Sequence, residues 1–271
     1  MRILKLLSAL TCLSILLTGV YNAEPPTSQP TTAPSANALP ANSPIRRWFL
    51  RLSDPDPKIR DQAKTDLMGI SADDLPKLRQ LVIDSRPVSP AQSAALHDIV
   101  LQAYLASEPY KVADGDTDAA GTTGPFFMGL FWPVPDNDQA RLGVAVDVRL
   151  PGFPGYRFLR KGDMIMGVYF NPDLPLEVVP NMLTNTQATL SGAIKSSPGT
   201  QNIVLQVLRD GETMRIPIKM APRPAFADPI NAGSMTAFVG PRVEQAEAYW
   251  NENFASLLDG RIDTSNLAQA P

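Results

Sequence analysis

Apolar residues fall on every second position from Leu142 to Leu150, where Leu142, Val144, Val146, Val148 and Leu150 alternate with Gly143, Ala145, Asp147 and Arg149. A period of two predicts a strand with one face buried. Further on, Phe158-Leu-Arg-Lys-Gly-Asp163 predicts a bend that feeds a short apolar strand, Met164 to Val168. Ile203, Leu205 and Val207 alternate again, and Met214, Ile216, Ile218 and Met220 alternate on the return. Between them stands Asp210-Gly211, and an Asp-Gly pair at this spacing predicts a type I′ hairpin turn. Pro217 has no N–H to donate, so the return strand is expected at a sheet edge. The run Pro125-Phe-Phe-Met-Gly-Leu-Phe-Trp132 is the most aromatic of the chain. It is expected as a strand or lid buried between neighbouring modules, with an exposed partner patch as the rival reading.

Before these strands the period changes to that of helices. Trp48, Phe49 and Leu52 make a short apolar face, and Asp56-Pro57 reads as a cap followed by a first-turn proline. That second helix is expected to bury Ile59, Ala63, Leu67 and Met68. Ser71-Ala-Asp-Asp74 predicts a third, with Asp74 as a capping-box acid and Leu75, Leu78, Leu81 and Val82 inward. Ser89-Pro-Ala-Gln92 predicts a capping box leading into Ala95, Leu96, Ile99, Val100, Ala103 and Tyr104. A last amphipathic helix is expected near 241–258, with Val243, Ala246, Trp250, Phe254 and Leu257 in a stripe.

The two ends of the chain read differently. A basic start, Met1-Arg-Ile-Leu-Lys5, precedes an apolar run to Val20 and a small residue at Ala23, the layout of a secretory signal peptide (1–23). It is either cleaved or kept as a membrane tether, because Tyr21 sits where a small residue is wanted. Residues 24–44 are Pro, Thr, Ser, Ala and Asn with few charges, a disordered linker. The chain is thus expected to be exported, to the periplasm, the cell envelope or the medium. Cys12 is the only cysteine and lies in the signal, so no disulfide, thiolate metal site or cysteine nucleophile is expected. Losing Arg2 and Lys5 takes the formal net charge from −3 to −5, which argues against a nucleic-acid partner.

The chemistry on offer is sparse. His97 is the only histidine, and no Gly-x-Ser-x-Gly elbow, phosphate loop or dinucleotide fingerprint occurs. Asp114, Asp116 and Asp118 have calcium-loop spacing, but Ala119 and Pro125 stand where the turn glycine and the bidentate acid belong. A Ser–Lys dyad uses residues too common to exclude by pattern. The expectation is a non-enzyme without metal or cofactor, and a hydrolase with an unrecognised dyad is the weakest alternative.

Taken in order, the Leu142-Gly143-Val144 strand, the Pro151–Gly155 loop, the Leu159–Asp163 bend, a helix and the Arg209-Asp210-Gly211 hairpin resemble a bacterial-type PDZ domain. This is the kind attached to secreted high-temperature-requirement proteases, here without a protease domain. The segment Asp54–Ala63 resembles the opening of a HEAT-type repeat, present once. The fold class expected is α+β: a small all-α module (45–110), a PDZ-like partly open β-barrel (125–222), and a tail (223–271) carrying the last helix. The PDZ resemblance implies that an extended peptide adds to the sheet edge, with its terminal carboxylate held by backbone N–H groups. The implied carboxylate loop is Arg141, Leu142, Gly143 and Val144. The implied groove comprises Ala145, Val146 and Asp147, faced by Leu190, Ala193 and Ile194 on a helix from about Thr186 to Ser196. Two departures from the family are the long proline-rich interval 171–180 and Gly192 within that helix. The function implied is an adaptor binding a protein or peptide segment. The alternative is a structural or assembly subunit whose PDZ-like part serves only as a scaffold.

Overall fold

The computed structural model describes residues 39–108, 110, 126–131, 142–171, 180, 182–184, 186–195, 202–227 and 232–258; for 182, 195, 226 and 232–238 it describes the backbone alone. The signal, residues 24–38 of the linker, the calcium-like loop, Trp132, Arg141 and most of the 171–180 interval lie outside these residues. The end of the expected linker is instead part of the fold, with Leu39 packed on the helical core, Ser43 buried and Pro44 already in the first helix. Among the described residues no helix is long and apolar enough to cross a membrane.

The helical part opens with α1 (Pro44–Arg51), whose Phe49 is fully buried. Helix α2 (Pro57–Leu67) starts as its sequence predicts, with the Asp56 carboxylate accepting from the Lys58 N–H. Ala63, Leu67 and the following Met68 are buried, whereas Ile59 is exposed, because it falls off the stripe that meets the core. A short 3-10 turn, Ala72–Asp74, precedes α3 (Leu75–Asp84). No capping box forms there: Asp74 accepts from the Ser71 hydroxyl and the Lys77 ammonium instead. The box at Ser89 does form, since Ser89 Oγ accepts from the Gln92 N–H and Gln92 Oε1 from the Ser89 N–H, and it starts α4 (Pro90–Ser107). Helix α4 is the central one, with Leu96, Ile99, Val100, Gln102 and Ala103 buried around its circumference.

The aromatic run forms two short strands, β1 (Phe126–Phe127) and β2 (Leu130–Phe131). Next come β3 (Val144–Ala145), β4 (Val148–Arg149) and α5 (Pro154–Phe158), a one-turn helix where the sequence suggested only loop. Pro154 supplies a first-turn proline with φ already set, which explains the helix. Then follow β5 (Met164–Tyr169), β6 (Met182–Leu183), α6 (Gln187–Lys195), β7 (Asn202–Arg209), β8 (Glu212–Lys219) and β9 (Ala221–Pro222). The main sheet is antiparallel in the order β3-β5-β7-β8, with β6 also on β5. Strand β7 pairs β5 along its length, so β3 and β6 share the opposite edge of β5, at Ile165 and Gly167 respectively. As expected, β8 is an edge strand, with Pro217 on it. The turn residues Asp210 and Gly211 both have positive φ, 52° and 82°, as a type I′ turn requires. The class is α+β with small antiparallel sheets, and no closed barrel forms among the described residues.

The last long helix, α7 (Ala232–Trp250), begins nine residues before Pro241 rather than at it. Val239 packs in a small cluster with Leu150 and Phe153, and Val243, Ala246 and Trp250 join the helical core. Packing on both sides of the proline holds the helix through the lost hydrogen bond. A π turn, Asn251–Ala255, puts Phe254 in the same core, stacked on Trp250 at 5.7 Å, before the final turn α8 (Ser256–Leu258).

Candidate ligand edge of the sheet

Gly143 carries the local geometry of the implied carboxylate loop. A Cβ on it would lie 2.6 Å from the Ile165 carbonyl oxygen, so only glycine lets this turn settle against β5. Val144 is buried opposite Ile165 and Ala145 is exposed opposite Met164. Val146 is buried, and its backbone is satisfied within the chain: its N–H donates to the Asp163 carbonyl at 2.7 Å, and its own carbonyl accepts from the Gly162 N–H at 2.9 Å. Asp147 is exposed and pairs loosely with Lys161 at 3.7 Å. Leu142 is 78% exposed.

Helix α6 packs on β5 and β6. Its start is fixed by two threonines that cap one another: the Thr189 N–H donates to Thr186 Oγ1 and the Thr186 N–H to Thr189 Oγ1. Leu190 and Ala193 are buried with Val144 and Val146 in the sheet core, and Ile194 packs on its border. The structure therefore brings Val144, Val146, Leu190, Ala193 and Ile194 into one apolar cluster. Leu142, Ala145 and Asp147 stay at the surface, and Arg141 lies outside the described residues.

Two features escape the sequence pattern. Leu183, 67% exposed, sits opposite Gly167 on the edge of β5 that β3 also uses. In addition, β2 pairs β4, with Phe131 opposite Val148 and Leu130 opposite Arg149, so this part of the strand already has a partner in the same chain. The 126–131 run is partly buried: Met128 is in the sheet core, Phe126 and Leu130 pack half-buried against it, Phe127 meets Phe153 edge-on at 5.0 Å, and Phe131 is exposed.

A buried ion pair fixes the bend beneath the loop. Asp163 accepts from Arg209 Nε at 2.8 Å and Nη2 at 2.6 Å, and from the Arg160 N–H at 2.7 Å. His97 is accounted for structurally, with Nε2 2.9 Å from Glu247 Oε2 and its ring edge-on to Trp250. Among the described residues no group of His, Cys, Asp and Glu is arranged to hold a metal. Comparison with known proteins gave no match: no family model fits the chain, and no curated protein and no solved structure is similar to it.

Proposed function

We propose that this protein is an exported, non-enzymatic adaptor that captures the free end of an extended peptide at the β3/β6 edge of its main sheet. The observation that carries the proposal is the placement of Leu142 and Leu183. They are the two most exposed large apolar side chains among the described residues, and both belong to segments lining one edge of β5. Val144, two residues after Leu142, belongs to the apolar cluster that also holds Leu190 and Ala193. Exposed leucines at one sheet edge suit an apolar last side chain, and the glycine turn at Gly143 suits a backbone cradle for its carboxylate. The motif order that resembles a bacterial PDZ domain points the same way. Pairing of β4 with β2 confines the ligand to the Leu142–Val144 end, so two or three terminal residues would carry most of the contact.

The same β2–β4 pairing favours a second reading, in which the sheet is a scaffold of an assembly subunit and its edge is closed by the chain itself. An array of free-acid heptapeptides differing in their last residue separates the two. Selective binding of Val, Leu or Phe ends, weakened at least about tenfold by Leu142→Asp or Leu183→Asp, supports capture. Absence of selective binding supports the scaffold. Both leucines are exposed, so these variants keep the fold; Gly143→Trp would instead collide with the Ile165 backbone.

A further inference from the structure

A second feature lies away from that edge, where α2 meets α5 and the sheet. A cavity of about 150 Å³ opens there, roughly ten times the space one water needs. It is lined by Lys64 from α2 and by Arg149, Arg157, Arg160 and Arg209, against the single carboxylate of Asp61. Three of these cations are neutralised locally: Lys64 by Asp98, Arg160 by Asp61 and Asp210, and Arg209 by Asp163. The other two have no bonded carboxylate. Arg149 Nη1 donates to the Tyr156 and Leu159 carbonyls, and Arg157 Nε donates to the Thr65 carbonyl at 2.9 Å. Among the described residues, Arg149 Nη2 and both terminal nitrogens of Arg157 donate to no acceptor. Gly69 makes room for the Arg157 guanidinium, since a Cβ there would overlap it.

Two guanidinium groups without a bonded carboxylate line this half-enclosed cavity, Arg149 over the Tyr156 ring and Arg157 over the Phe158 ring with the Asp66 charge nearby. Their planar forks match the charge and oxygen geometry of a phosphate group. We infer that this cavity is a binding site for a phosphate-type dianion, with Arg149 and Arg157 as its principal donors. The occupied site would tie α2 to α5 and β4. The anion is either free phosphate or the phosphoryl group of a small monoester.

The test is calorimetric titration of the folded chain with inorganic phosphate and, separately, with glycerol 2-phosphate, against sodium chloride at matched ionic strength. Saturable phosphate binding with a Kd below about 1 mM is expected. Arg157→Met should weaken it at least about tenfold, the loss expected for a charged hydrogen-bond donor. Thr65→Glu places a carboxylate on the cavity wall; it should abolish binding and raise the melting temperature of the unliganded protein. Both variants are checked for fold by circular dichroism, and Thr65→Glu decides alone if Arg157→Met fails to fold. Binding of both ligands identifies a phosphoryl site, and binding of phosphate alone identifies a site for the free ion. Heats no larger than those of chloride, or affinity unchanged in the folded variants, would overturn the inference.

Discussion

Arg223 is 5% exposed, and neither its Nε nor its Nη1 meets an acceptor among the described residues. A buried donor without a partner costs the desolvation it never recovers, more so when charged. Replacing Arg223 with methionine, which keeps the stem, should raise stability by about 1–3 kcal/mol in urea unfolding; a loss would show that the guanidinium is satisfied in solution. Asp98 represents the opposite case. Burial alone would raise its pKa, but the bond and charge of Lys64 and the Tyr156 hydroxyl together hold it below the usual aspartate range. A carboxyl depressed in the folded state contributes stability above its unfolded pKa and loses it as the pH falls through the folded value. Asp98→Asn should therefore be less stable than the parent at pH 7, and the gap should close below about pH 4. Urea midpoints measured at pH 7 and pH 3 check this, and a gap constant with pH would refute it. Neither residue was legible in the sequence. Asp98 bonds to Lys64 and Tyr156, which are distant along the chain, and Asp163, readable only as part of a bend, proves to be the buried acceptor of Arg209. Pairings across such separations leave no periodic trace.

Elements set by local chemistry were readable in detail. The capping box at Ser89, the cap at Asp56 and the two positive φ values at Asp210-Gly211 each depend on residues within one turn. The strand alternation at Ile216, Ile218 and Met220 likewise matches their burial. Reading failed where tertiary packing decided. Proline at position 241 signals a helix start, yet α7 runs through it because Val239 and Val243 are packed on either side. Pro241→Ala should therefore stabilise the protein by about 2 kcal/mol, the roughly 3 kcal/mol cost of an interior proline less its restraint on the unfolded chain. Thermal and urea unfolding measure the change, and destabilisation would mean that the proline's kink is needed for docking. The aromatic run at 126–131 was legible as packing on the fold only in part, since Met128 is buried and Phe131 exposed, and its division between β9 and β4 as pairing partners was not legible. Two-residue strands are too short to carry a period.

At the scale of the whole molecule, a helical core and a sheet core are joined by the small apolar cluster of Leu150, Phe153 and Val239 and by polar contacts. Gln102 on α4 accepts from the Gly152 N–H at 2.7 Å, Tyr156 donates to Asp98 at 2.8 Å, and Arg160 pairs with Asp61. The C-terminal stripe belongs to the helical core, not to the sheet: Ala246, Trp250 and Phe254 are buried with the residues of α1 to α4. This leaves the β3/β6 edge clear of that helix's buried face, with Leu142 and Leu183 outward. The α+β class could be read from the two periods and Val144 from alternation, whereas Leu190 and Ala193 came only with the PDZ resemblance; Leu183 could not be read, since no pattern surrounds it. The central claim is that the turn at Leu142–Val144 recognises a chain end, and recognition of an end requires its carboxylate. One peptide with an apolar last residue, chosen from the array, should be titrated as the free acid and as the C-terminal amide. Capture predicts binding of the acid at least about tenfold tighter than the amide, with the difference shrinking in high salt. Equal affinity of the two forms, or binding of neither, would contradict it.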